Sequence, residues 1–108
     1  MTILISIIFS YQFNIKEGKK MFTTEQIEMT IVEVGKMTSR PPWIHTLTDA
    51  LKYCLHKTKG SIEDHYYYLV DKWDDEGLSS YEEGFKEGLY TVLEGDFEEN
   101  LEEIREYQ

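Results

Sequence analysis

Basic side chains are scarce in the second half of this chain. From Ser61 to Gln108 only Lys72, Lys86 and Arg105 stand against sixteen Asp and Glu, a local charge of −13. The stretch Met21–Gly60 carries four acids and five bases, near +1, so the overall −10 is a one-sided field. Phosphate binding needs Lys/Arg patches. The small group Arg40, Lys52, Lys57 and Lys59 is outweighed, which argues against direct nucleic-acid binding and against adhesion to acidic membranes. Cysteine is almost missing too. With Cys54 alone there is no internal disulfide framework, which fits a reducing compartment and a cytoplasmic location. Cys54 itself reads as a small buried apolar residue on a helix. No P-loop, dinucleotide fingerprint or nucleophile elbow occurs, so no enzyme, catalytic residue or cofactor is expected. With 14% aromatic residues the chain has enough apolar bulk to fold despite 30% charged residues.

Long apolar runs are also missing. The opening MTILISIIFSYQF is shorter than the roughly 20 residues that span a bilayer, and it lacks the basic start and small-residue cleavage site of a signal peptide. Two readings of residues 1–20 stand side by side. One is a β-branched strand or apolar arm folded onto the domain. The other is a translated leader that is not native to the protein. For the latter, Lys16-Glu17-Gly18-Lys19-Lys20 back-translates to an A-rich stretch with GAAGGA shortly before the ATG of Met21, the pattern of a bacterial ribosome-binding site. Residues 21–108 form the single acidic domain.

From Met21 onward the apolar period is helical. Thr23 or Thr24 caps a first helix, with Gln26 placed for a capping box. Its stripe is Ile27, Ile31 and Val34, and it ends near Met37. Pro41 and Pro42 break it, and Trp43 and Ile44 follow as packing anchors. A second helix is expected from about Thr46, with Asp49 as box partner, inner face Leu47, Ala50, Leu51, Cys54 and Leu55, and Gly60 as its end. Ser61 is expected to cap a third, with Ile62, Tyr66, Leu69, Val70 and Trp73 inward and Gly77 closing it. Ser79 or Ser80 caps a fourth with the face Tyr81, Phe85, Leu89 and Val92. On that face Gly84 and Gly88 lie one turn apart. Each costs about 1 kcal/mol in a helix interior, which calls for close approach by another helix. Gly95 ends this helix, and Asp96 with Glu99 starts a fifth, carrying Phe97, Leu101 and Ile104 inward. The expected fold is all-α, a compact bundle of four to five short helices.

Metal sites are not expected. His45, His56 and His65 fall in no ligand spacing. The segment Lys72–Glu83 has Gly77 and Glu83 where an EF-hand loop has its turn glycine and last ligand. Lys72, however, stands where the first Asp belongs, and Ser79 replaces the branched apolar residue. An acidic interhelix turn is the simpler account.

The carboxylates are the remaining signal. Glu98–Glu102, Glu99–Glu103 and Glu102–Glu106 are like-charge pairs one turn apart, each costing a few tenths of a kcal/mol. Glutamates near a helix C-terminus also oppose its dipole. Solubility alone does not require this cost. Two carboxylates one turn apart stand about 6 Å apart along the axis, against about 3.4 Å of axis per phosphate on one DNA strand. A rigid array of this kind suits a cleft built for DNA. The candidate contacts are Asp71, Asp74, Asp75, Glu76, Glu82, Glu83, Glu87, Glu94, Glu98, Glu99, Glu102, Glu103 and Glu106. Tyr67 and Tyr68 join them, because tyrosine among acids favours a binding surface.

At Leu47-Thr-Asp-Ala-Leu-Lys52, His65-Tyr66-Tyr67 and Glu98-Glu-Asn-Leu-Glu-Glu-Ile-Arg-Glu-Tyr107, the chain resembles Ocr-type phage anti-restriction proteins. It is also similar to the wider group of small acidic phage inhibitors, anti-CRISPR proteins among them. The near-neutral Met21–Gly60 stretch sets it apart from the all-over acidity of the Ocr type. The resemblance implies a DNA mimic that enters the basic cleft of a nucleic-acid-binding host protein, a restriction or CRISPR nuclease, in the host cytoplasm. The alternative expectation is a helical adaptor or regulator that binds a partner through an apolar groove, with a homodimer formed through the Gly84/Gly88 face.

Overall fold

Hydroxyl and carboxylate caps set most of the helix starts. The computed structural model describes residues 21–108, which form five helices and their connections. The arm or leader expected over residues 1–20 lies outside the described residues. Helix α1 spans Thr24–Gly35, and its Thr23 cap forms the expected reciprocal box with Gln26. Helix α4 spans Ser80–Glu94 behind an equivalent box of Ser79 and Glu82. Helix α5, Phe97–Arg105, starts where Asp96 accepts from the backbone N–H of Glu99. Each such cap satisfies backbone donors that a helix start leaves open, and is worth about 1 kcal/mol.

Two boundaries depart from the sequence reading. Helix α2 runs Pro42–Cys54 and begins four residues before Thr46. Pro42 occupies the first turn, where its missing N–H costs nothing. Thr46 therefore lies inside the helix, donating its hydroxyl to the carbonyl of Trp43 at 3.1 Å. Asp49 is not a box partner; it accepts from the Tyr81 hydroxyl at 2.7 Å. Helix α3 runs Lys59–Asp75 and is capped by Thr58, not Ser61, so Gly60 sits in its first turn and does not end α2. The reversal after α2 falls instead on His56, whose φ of 66° lies in the left-handed region. Histidine is among the side chains enriched there. At the next turn Gly77 has φ 84°, the conformation expected of a closing glycine.

The α2–α4 pair is the most extensive interface in the bundle. A Cβ placed on Gly88 would stand 2.6 Å from the Cβ of Ala50, and one on Gly84 would overlap the Thr46 side chain. The two glycines thus let α4 approach α2 at backbone distance. Helix α3 packs on α4, while α1 packs on α2 and α5. Between them Ile44, Leu51, Ile62, Leu89 and Ile104 are fully buried. Each contributes about 1.5–3 kcal/mol of apolar burial.

The ends of the domain are tied in. The Phe22 N–H donates to the Val92 carbonyl at 2.9 Å, and the Phe22 ring meets Phe97 edge-on at 5.5 Å. The Thr38 N–H donates to the Tyr107 carbonyl at 2.9 Å. Trp73 and Tyr81, both expected to face inward, stand 54% and 51% exposed. They sit where the α3–α4 hairpin turns, and α3 has only α4 as a substantial neighbour. Among the described residues, the last turn of α3 therefore has no other helix packed extensively on its far side.

Candidate functional site

Of the thirteen candidate carboxylates, Asp71, Asp74, Asp75, Glu76, Glu83, Glu87, Glu98, Glu99, Glu102, Glu103 and Glu106 are exposed. Glu82 and Glu94 are half-buried. Both oxygens of Glu82 are engaged within the fold. Oε1 accepts from the Ser79 N–H at 3.0 Å, and Oε2 from the Lys72 ammonium at 2.6 Å. The Lys72 hydrogen bond, and then the Ser79 backbone bond, lower the Glu82 pKa. Glu82 thus holds α3 against the start of α4. In the segment Lys72–Glu83, α3 continues to Asp75 and α4 begins at Ser80. Among the described residues no group of three or more His, Cys, Asp or Glu is arranged for a metal ion.

Glu94, at the end of α4, has one oxygen buried without a hydrogen-bond partner. It lies close enough to Tyr66 and Tyr67 to disfavour their phenolates. Burial is the larger cause of the upward pKa shift of both tyrosines. Tyr67 and Tyr68 are exposed, beside the Tyr66 ring that tilts against Tyr90 at 5.9 Å.

The acids fall into two groups. Asp71, Asp74, Asp75 and Glu76 belong to the last turns of α3 and the cap that follows, and Glu83 to the first turn of α4. Glu98, Glu99, Glu102, Glu103 and Glu106 belong to α5 and its C-cap. Arg105 is the sole cation of α5, and it does not neutralise this second group. Its Nε donates to Glu33 on α1 at 3.4 Å. Glu33 also accepts from Lys36 at 3.1 Å and from the Gln108 amide at 3.0 Å. The Gln108 and Lys36 hydrogen bonds hold its pKa down at about 2.

Between the two acidic groups lies a feature that the periodicity did not reveal. An open groove of about 680 Å³ runs between α2 and the α3–α4 hairpin, with Trp43, Trp73 and Tyr81 on its walls and Glu83 and Glu87 among its lining residues. It continues past Gly84 and Gly88 into a smaller recess lined by Asn100 and Glu103 of α5. The Trp-after-Pro-Pro at Trp43 was the available signal. Trp73 and Tyr81 fall on the helical stripes, which in the sequence marks them as core residues.

The Gly84/Gly88 face packs within the chain on Thr46 and Ala50 of α2. No described helix is long and apolar enough to cross a membrane. Comparison with protein-family models, with curated proteins and with solved structures gives no match for this chain.

Proposed function

We propose that this protein is a non-enzymatic inhibitor whose carboxylates occupy the basic DNA-binding cleft of a nuclease or another nucleic-acid-binding host protein. The observation that carries the reading is the uncompensated array on α5. Glu98, Glu99, Glu102, Glu103 and Glu106 follow one another over two turns, while Arg105 is diverted to Glu33. Among the described residues, the ion pairs that reach the candidate set are Lys72–Glu82 and Lys86–Glu87. No other candidate carboxylate is in an ion pair with a described residue. The resemblance to acidic phage inhibitors supports the same reading, with restriction or CRISPR nucleases as the targets to try first. The mechanism is competition with DNA, steered over distance by the one-sided field.

The test is a DNA-binding assay on purified restriction and CRISPR nucleases. Inhibition by the native chain should be relieved by excess DNA. It should disappear when Glu98, Glu99, Glu102 and Glu103 are all changed to Lys, with the helical content retained. Equal inhibition by that variant would overturn the proposal.

A further inference from the structure

We infer that the Trp43–Trp73–Tyr81 groove seats a segment of a partner protein in which arginine or lysine alternates with apolar residues. Three observations favour this occupant. First, the walls are aromatic and open: Trp73 and Tyr81 are about half exposed, and the groove is large enough for several side chains. Second, one of the wall rings, Trp73, already receives a cation that also reaches Tyr66 outside the groove. The Lys86 ammonium lies 5.7 Å from the Trp73 centroid and 5.9 Å from that of Tyr66. Indole and phenol faces attract ammonium and guanidinium groups through the ring quadrupole. Third, the charge around the groove is negative. Glu83 and Glu87 line it, Glu103 lines its continuation, and Asp49 is bound to the Tyr81 hydroxyl at 2.7 Å. Lys86, the cation on this wall, is already paired with Glu87 at 2.9 Å.

These features select among occupants. A nucleic acid or an anionic lipid surface would meet repulsion from the rim. A purely apolar segment would leave the rim carboxylates without partners. A basic, partly apolar segment satisfies both: its aliphatic stems cover the rings while its charged heads reach the glutamates. The inference rests on the aromatic walls and the α4 carboxylates, and shares only Glu103 with the α5 array.

The test uses the full chain and a short peptide of alternating arginine and leucine. The chain's two tryptophans both line the groove, so intrinsic fluorescence reports on it directly. A saturable change is expected with this peptide and none when glutamate replaces its arginines. Trp73→Leu, with Trp43 reporting, should weaken binding at least about tenfold, as loss of an interface anchor does. Glu83→Lys with Glu87→Lys should do the same. Changing Glu98, Glu99 and Glu102, none of which lines the groove or its continuation, to Lys should weaken it several-fold less than the Glu83/Glu87 reversal does at 0.15 M salt, where exposed charges are screened over ~8 Å. That last variant separates the groove from the cleft reading, because it disables the α5 array alone.

Equal binding of the arginine and glutamate peptides, or undiminished binding by folded Trp73→Leu, overturns the inference. So does a dimer by sedimentation that peptide cannot dissociate, which would make a second copy the occupant. Peptide binding by a chain starting at Met21 but not by the full chain would assign the groove to residues 1–20 and overturn it as well.

Discussion

Arg105 reaches back from the last helix to Glu33 on the first, its Nε 3.4 Å from the carboxylate Oε1. One contact therefore joins α5 to α1 and engages the one cation of the α5 helix with a carboxylate outside it. Glu33 is buried in its place, ringed by Lys36, Arg105 and Gln108.

That arrangement sets an acid limit on the fold. The Glu33 carboxyl has a pKa of about 2 against an ordinary 4.5, chiefly through the Gln108 and Lys36 hydrogen bonds. A depressed carboxyl stabilises the folded state fully above its unfolded pKa, and the contribution is lost as pH falls through the folded one. Stability against thermal unfolding should therefore fall as the pH drops from 4.5 to about 2. Glu33→Gln should lower stability at neutral pH and flatten that acid slope. A slope unchanged in the variant would place the acid sensitivity elsewhere.

Gly88 is where the α2–α4 approach is tightest on backbone and β-carbon. Gly88→Ala improves helix propensity by about 1 kcal/mol, but the new methyl meets Ala50 at 2.6 Å, with no flexible side chain to yield. The overpacking should prevail and cost about 1–3 kcal/mol in chemical denaturation. Ala50→Gly in the same chain should recover much of that loss. Equal destabilisation with and without Ala50→Gly would show that the contact is not the cause.

Much of this packing is legible in the sequence, and the reasons differ by residue. Thr23 with Gln26, Ser79 with Glu82, and Asp96 with Glu99 are local signals acting over three residues, and the structure forms all three caps. The Gly84/Gly88 pair announces a close neighbour, though only the fold identifies it as α2. The start of α2 is hidden because proline reads as a breaker and yet is at home in a first turn. Thr58 is hidden because Lys59-Gly60 resembles a helix end. Glu33 looks like any surface glutamate, since its partners Arg105 and Gln108 are 72 and 75 residues away. The groove is hidden for a related reason: a helical stripe marks a face but not where neighbouring helices stop.

Cys54 is a buried thiol on α2, and burial pushes its pKa up to about 12. The thiolate is the reactive form. Labelling by a disulfide reagent at neutral pH should therefore be slow in the folded chain and accelerate with denaturant along the global unfolding curve. Rapid labelling without denaturant would contradict the burial of this face of α2.

Charge reversal on α5 should barely disturb the fold. Glu98, Glu99, Glu102 and Glu103 give like-charge pairs worth only a few tenths of a kcal/mol each, and all four are exposed. Replacing them with Lys should change stability by less than about 1 kcal/mol. A larger loss, read by thermal unfolding, would give these side chains a structural role in place of a docking one.

The most direct test of the docking claim is the salt dependence of the inhibition constant on a susceptible nuclease. A carboxylate array in a basic cleft should lose at least about tenfold in affinity between 0.05 and 0.2 M salt, as surface charges become screened. The native chain should show that steep fall, and the α5 reversal variant should show no inhibition at any salt. An inhibition constant that stays flat across this range would contradict the account and return the function to an apolar contact.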